Sequence, residues 1–471
     1  MKKQRWACLL VPLVLLLAAF LCVAGVQEEV GAREVKLTAW VAGGPTAIDW
    51  FCDQLEEGAK FVTEELAAEG KDITIVIESS QYPDDWAEHF KKYLLACDAG
   101  EGPDIYNMVS ENMAVLANSG YVVPFGDSVA EVCKLDPALK NVRDKMWDVA
   151  RWHGKIWSVP YYCSMRGLWW YKPKLKAIGW SDKEIEALPE KIQKGEFIIE
   201  DMVAAAKKAL DMGVIKKGFG FYHRPWRGAN HHMFYLAYGG ELYDEKTNKF
   251  IFSKDAYLKW YQFVDNNVNL GLTGKMQMVL DWGIWLDQTS HGEAIFWHHG
   301  LWDWNNWAIT YVKDLGGEDY LFKNLGYTII PSAIRGKPEY ANSLANYGLW
   351  FVSSEEASGR KKEYTELVQR VIAKTQLPEI NRGVGVTSAI GSCKLLDDDP
   401  EFQKNYKFLA EAGYYGDYAW NEPVDAQWGV YLDITYRNML DVEQRKKTPE
   451  EAVEDAITLL KYELPDKVIY K

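Results

Sequence analysis

The chain has 471 residues, 48% hydrophobic and 25% charged, too many for one compact core and enough for two. Its 67 acidic against 53 basic residues give a formal charge of -14, which repels nucleic acid phosphates and anionic lipid headgroups and argues against DNA, RNA or membrane-surface binding. The 21 Trp and 27 Tyr exceed what core packing requires, so some of these rings are expected to face a ligand.

Lys2, Lys3 and Arg5 precede an apolar run from Leu9 to Leu21, and the small Ala24 and Gly25 follow, the pattern of a signal peptide over residues 1–25. That run is short for a membrane span, and nothing later approaches about 20 unbroken apolar residues. The expected product is a soluble protein in the periplasm or on the outer face of the cytoplasmic membrane. Cys22 is a candidate for lipid attachment, disfavoured by the bulky Phe20 and Leu21 before it. Cys52, Cys97, Cys133, Cys163 and Cys393 remain in the body. They are odd in number and form no CxxC unit, which predicts free thiols or one disulfide and no zinc or redox pair.

From Val35 to Val41 apolar and other residues alternate with the period of a strand. Phe51, Leu55, Ala59, Val62 and Leu66 then recur at helical spacing, and Gly70 closes the helix. A strand over 73–77, a helix over 86–96 and a short strand over 104–108 complete a βαβαβ unit, hence a parallel, doubly wound sheet. In such sheets ligands bind beyond the carboxyl ends of the strands, here the loops 40–46, 79–86 and 109–112. These loops offer Trp40, Tyr82, Trp86 and Asn112. With no repeat, low-complexity tract or long linker, two lobes interleaved in sequence are expected.

Four segments carry a resemblance: GEGPDIY over 100–106; GKIWSVP over 154–160 followed by LWWYK over 168–172; GGEL over 239–242; and GEAI over 292–295 followed by GLW over 300–302. In their own right, the first turns the chain from a helix into a buried strand, and the second reads as a turn and a strand that Pro160 stops. Gly239 and Gly240 read as a helix stop. In this order the set resembles the extracellular solute-binding proteins of carbohydrate ABC transporters, the maltose-binding-protein-like family, from about Val35 to the C-terminus.

The resemblance implies a type II periplasmic-binding fold, with two α/β lobes and a ligand cleft between them. It implies residues 34–163 with 298–348 in the N-terminal lobe and 164–297 with 349–471 in the C-terminal lobe. Crossings are implied after Pro160, near 298–304 and near 346–351, with closure about these strands on binding. It puts 161–166 on the cleft floor, Trp302 against a sugar ring with Trp304 close by, and Trp420 with Asn421 in the later part of the site. The implied partners are a carbohydrate and the membrane permease and ATPase of an importer, with a monomeric chain and no cofactor. Two features depart from the family pattern: Tyr171 is followed by Lys172 and Pro173, and the loop after the first strand lacks charged side chains.

A pyranose presents an apolar C–H face to rings and a hydroxyl rim to polar groups. Tyr161, Tyr162, Arg166, Phe221, His223, Trp226 and Trp302 supply both kinds of contact. The competing role for any tryptophan is core packing, strongest for Trp147, Trp260 and Trp350. Arg166, Arg224, Arg227 and Arg382 lie in or near the expected cleft segments, so an acidic glycan is compatible, although pairing with local acids is the ordinary use of such arginines.

A metal cargo would need His231-His232 and His298-His299 to meet, since neighbouring side chains diverge and one pair cannot chelate. A secreted glycoside hydrolase is the alternative reading, with Glu111, Glu241, Glu293, Asp303 and Glu422 available and no pair singled out. No GxSxG, HExxH or GxxxxGK[ST] motif occurs. A binding protein without catalytic residues is the expectation.

Overall fold

The computed structural model describes residues 33–44, 47–83, 86–275 and 277–471. The expected signal peptide, with Cys8 and Cys22, and residues 26–32, 45, 46, 84, 85 and 276 lie outside them. Among the described residues no helix is long and apolar enough to cross a membrane, and all five cysteines are free thiols.

The opening βαβαβ unit forms as its periodicity requires. Strand β1 (Arg33–Gly43) buries Val35, Leu37, Ala39 and Val41 and turns the intervening residues outward. Helix α1 (Ile48–Ala68) buries its predicted stripe, Phe51, Leu55, Ala59, Val62 and Leu66, against the sheet. Strand β2 (Ile73–Pro83) pairs parallel with β1 along their whole length, from Arg33 opposite Ile73 to Gly43 opposite Pro83. It therefore runs six residues beyond its predicted end, and Ser79 to Tyr82 are ladder residues rather than a loop. Helix α2 (Trp86–Asp98) leads to β3 (Ile105–Val109), parallel to β1 on its other side.

After β3 the chain builds a hairpin of Arg151–Trp152 with Lys155–Ile156. His153 (φ 45°) and Gly154 (φ 77°) supply the two positive φ values of its tight turn. The long strand β4 (Val159–Tyr171) follows, so Pro160 begins this strand instead of ending one. Beyond it lie β5 (Phe221–Tyr222), α3 (Lys254–Asn269), α4 (Trp282–Ser290), β6 (Phe296–Gly300), α5 (Asp303–Asn306), β7 (Leu325–Thr328) and β8 (Ser343–Ser353). The last elements needed here are α6 (Thr365–Lys374), α7 (Trp428–Glu443) and α8 (Pro449–Glu463). Gly239 (φ 82°) follows the helix His232–Ala237, in keeping with its reading as a helix stop.

The main sheet runs in the order β2-β1-β3-β8-β4-β6-β5, with β7 also pairing β4. Two long antiparallel strands join its halves. β8 pairs with β3 from Gly348 to Val352 and with β4 from Leu344 to Trp350, the latter with a register shift between Gly348 and Leu349. The far end of β4 pairs with β6 and β7. Trp147, Trp260 and Trp350 are 3%, 1% and 0% exposed, in the core role weighed for them.

Packing outside the sheet divides the later chain. Helix α6 lies on α1, where Arg370 pairs with Glu65 at 2.8 Å and buried Lys374 bridges Glu65 and Asp136. Helices α3, α7 and α8 pack on one another at the other end. Segment 349–374 thus sits with the first three strands, and β7 sits with the far end of β4.

Candidate functional site

The loops after β1, β3, β5 and β6 converge on a cavity of about 330 Å³, where the doubly wound topology places a ligand and within the usual range of about 300–1,000 Å³ for such sites. Gly44 and Ala47 come from beyond β1 and Glu111 from beyond β3. Arg224, Trp226 and Arg227 follow β5, and Trp302, Asp303 and Asn306 follow β6. The floor is β4. Alternation along that strand turns Tyr162, Ser164 and Arg166 to the cavity, while Cys163 and Met165 go to the core. Asn346 on β8 and Glu422 before α7 close the wall.

The apolar surface is aromatic. Asp281 caps α4 by accepting the Ile284 N–H at 3.1 Å, which sets Trp282 at the first turn of that helix. Trp282 lies between Trp226, 5.4 Å away at 28°, and Trp285, 5.3 Å away at 5°. Trp226 is 50% exposed, in keeping with a ring presented to a partner. Trp302 folds back over Gly300, where a Cβ would fall 1.8 Å from its ring, so the glycine of GLW is a steric requirement for that placement. Tyr162 stacks on Phe51 at 5.5 Å, and Trp86 completes the lining.

The polar surface holds both signs of charge. The Arg166 guanidinium lies 4.9 Å above the Trp302 ring, and Arg224 lies 5.8 Å from Trp282 and 6.0 Å from Trp302. Arg166 is 8% exposed, and its Nε and Nη1 find no acceptor among the described residues; Arg224 Nε also has none. A buried donor left unpaired costs about 1–3 kcal/mol. Burial lowers the pKa of both guanidinium groups, that of Arg224 to about 10. Arg227, in contrast, pairs with Asp433 and donates to the Gly429 carbonyl at 3.0 Å.

Both oxygens of Glu422 are engaged, by Asn346 Nδ2 at 3.1 Å and Trp428 Nε1 at 2.7 Å. Asp303 is held by His299. Glu111 is pushed up to about 7, by burial first and by the neighbouring Glu422 second, while Arg227, Arg166 and Arg224 pull the other way.

Of the expected site residues, Trp86, Tyr162, Arg166, Trp226 and Trp302 line this cavity. Seven others do not. Tyr161 falls at the register shift of β4 and enters the core, stacked on Trp350 at 4.6 Å and accepting from Asn107 Nδ2 at 2.9 Å. Trp304 sits two residues past Trp302 on a helix and so points about 200° away. It stacks on Phe408 at 4.2 Å, donates to Glu318 at 2.7 Å and faces a separate cavity of about 510 Å³. Neither Arg166 nor Arg224 reaches that second cavity. His223 lies behind the wall, bonded to Glu443.

Trp40 and Tyr82 pack on each other at 5.4 Å on neighbouring strands, because β2 is longer than predicted. Trp420 pairs opposite Leu344 of β8, and Asn421 accepts from the Tyr347 hydroxyl at 2.9 Å; both flank Glu422 without lining the cavity. Arg382 pairs with Asp399 and Glu401. The two histidine pairs contribute one ring each to a buried contact, His231 to His298 at 5.3 Å, but no group of metal-ligating side chains occurs among the described residues. Trp282 carried no distinguishing sequence signal. The sequence offers Glu111, Asp303 and Glu422 only as carboxylates among several.

A profile described as bacterial extracellular solute-binding protein matches residues 53–369. The chain belongs to that family. Solved structures share its fold. The GacH receptor of Streptomyces glaucescens GLA.O, solved unliganded and with acarbose, is 16% identical over 93% of this chain and 100% of its own, with a TM-score of 0.71. Maltose-bound MalE3 of T. maritima is 17% identical over 91% and 100%, with a TM-score of 0.69. Mannobiose-bound CpMnBP1 is 18% identical over 91% and 99%, with a TM-score of 0.63. No curated protein sequence matches. For a solute-binding protein of this fold, the type II periplasmic-binding architecture expected from the motifs is the one observed, with the cleft at the junction of its strands.

Proposed function

We propose that the protein is the exported substrate-binding component of an ABC importer and that it takes a saccharide in the cleft between β4, β6 and the loops after β3 and β5. The observation that carries this reading is the lining itself: Trp226, Trp282 and Trp302 offer flat apolar faces, interleaved with Arg166, Arg224, Asn306 and Glu111. Rings suit the C–H face of a sugar, and the polar groups suit its hydroxyl rim. Sugar-bound relatives of the same fold, with maltose, acarbose and mannobiose, support it. The family supports an extracytoplasmic site of action, and the signal-like residues 1–25 support export. A permease and its ATPase are the proposed partners.

The lobes, in this reading, comprise 33–164 with 347–399 and 165–346 with 400–471. That assignment changes the expected one twice: 298–346 goes to the second lobe, on the pairing of β6 and β7 with the far end of β4, and 349–399 goes to the first, on the β8–β3 ladder and the packing of α6 on α1.

Glycoside hydrolysis would need two of the cleft carboxyls Glu111, Asp303 and Glu422 to flank a scissile bond; Asp303 is held by His299 and each Glu422 oxygen by one protein donor, so binding is the reading favoured here. Tryptophan fluorescence and melting temperature, followed against maltose, mannobiose, acarbose and acidic disaccharides, test the proposal. Saturable quenching or enhancement with a rise in melting temperature, and intact glycan on chromatography, is the expected outcome. Cleaved glycan would establish a hydrolase, and silence across every sugar would remove the carbohydrate assignment.

A further inference from the structure

Resting on the saccharide reading, we infer that the solute is an acidic saccharide whose carboxylate is held by Arg166 and Arg224 beside Trp302. Among the described residues neither guanidinium group forms an ion pair, and the cleft carboxylates Glu111 and Glu422, with Asp303 for Arg224, act on them only through space. Arg166 is 92% buried by its 8% exposure, lines the cavity, and forms no ion pair among the described residues. Arg224 reaches only Asn230 Oδ1, at 3.4 Å. Two other arginines near the cleft behave differently, since Arg227 is tied to Asp433, and Arg382 to Asp399 and Glu401.

An arginine that exists only to support the fold acquires a carboxylate or carbonyl partner when buried, because an unpaired buried charge is costly. These two lie instead over aromatic rings at the mouth of a ligand cavity, with Arg166 Nε and Nη1 and Arg224 Nε left without an acceptor among the described residues. A guanidinium fork matches a carboxylate in bidentate geometry, and a ligand carboxylate would satisfy donors that a neutral hydroxyl rim serves less well.

The charge count favours a single negative charge over a phosphate. Glu111, Asp303 and Glu422 share the cleft with the arginines and would repel a dianion more strongly than a single negative charge. Each Glu422 oxygen accepts one protein donor, from Asn346 and from Trp428, and Arg166 is not among them.

The test is isothermal titration of the purified protein with digalacturonate, dimannuronate and a glucuronate-containing disaccharide, each beside its carboxyl-reduced counterpart, with galactose 1-phosphate as a further probe. At least one acid should bind about tenfold or more tightly than its reduced form. In Arg224→Gln, and separately in Arg166→Gln, that ratio should fall towards one while affinity for the reduced form persists. Arg224 is the less buried of the two, so its variant keeps the test informative if Arg166→Gln does not fold.

Reduced or neutral disaccharides binding as well as the acids would overturn the inference and leave the saccharide reading standing. Preference for the sugar phosphate would overturn the carboxylate assignment. Failure of every saccharide would take both down together.

Discussion

Glu111 shows how a single side chain reports its surroundings. Its carboxyl is raised from the ordinary 4.5 to about 7, by burial and then by Glu422, against the pull of Arg227, Arg166 and Arg224. A carboxyl raised on folding holds its proton in the native state over a range where the unfolded chain has released it. Stability is therefore lost as pH rises from about 4.5 to 7, and above 7 the penalty is constant. Glu111→Gln removes it. At one pH unit to 1.36 kcal/mol, and with partial exposure, the gain is on the order of 2 kcal/mol above pH 7. Melting curves should show the variant several degrees more stable than the parent at pH 8 and nearly equal to it at pH 5; an equal gain at both would assign the effect to packing. At this scale the sequence discriminates poorly between neighbours. Tyr161 and Tyr162 are indistinguishable in composition, yet strand alternation and one register shift send the first to Trp350 and the second to the cleft. Trp302 and Trp304 separate in the same way, by helical rotation. Trp282 had nothing in its own neighbourhood to mark it, because its role comes from Trp226 and Arg224, which reach it only in the folded chain.

Elements were more legible than residues, because the periods of 2 and 3.6 are local. The βαβαβ unit could be read in full, whereas the true end of β2 could not, because Ser79 to Tyr82 are held by pairing with β1 and not by their own pattern. Which body the later helices join was equally hidden. Helix α6 packs on α1 some 300 residues earlier through Arg370 and Lys374. Closeness of that contact depends on Gly58, where a Cβ would fall 2.7 Å from the backbone carbonyl of Val371. Backbone cannot rotate aside as a side chain can, so Gly58→Ala should force the helices apart at about 1–3 kcal/mol. Differential scanning calorimetry should record a melting point several degrees lower. Ligand affinity at 20 °C, in contrast, should be unchanged, since neither helix end bearing this contact lines the cleft. A loss of affinity without loss of stability would mean that α6 acts on the site and not on the body carrying β1 to β3.

At the scale of the whole molecule the resemblance carried what periodicity could not, namely that the two ends of one sheet belong to different bodies with a cleft between them. The physical basis lies in the two long strands. β8 pairs with β4 from Leu344 to Trp350 and with β3 from Gly348 to Val352, and the register shift between Gly348 and Leu349 falls in the β4 ladder where the two begin to overlap. A Cβ on Gly348 would meet the Tyr162 ring at 2.1 Å, so the break in the ladder and a cleft-lining side chain share one position. Bulges bend and twist a strand, which makes this a natural place for rotation. In the proposed reading, a ligand touching Glu111 on one side and Arg224 and Trp226 on the other would gain its full set of contacts only when the sides approach, and that differential affinity would drive closure. Small-angle X-ray scattering on the free protein and at saturation with the best-binding disaccharide should give a smaller radius of gyration for the complex. The scattering titration should share its midpoint with the tryptophan fluorescence titration, because binding and closure are one equilibrium in this scheme. A fluorescence change that saturates while the radius of gyration stays constant would instead describe a cleft already formed in the free protein, with Trp226 and Trp282 responding locally to the ligand.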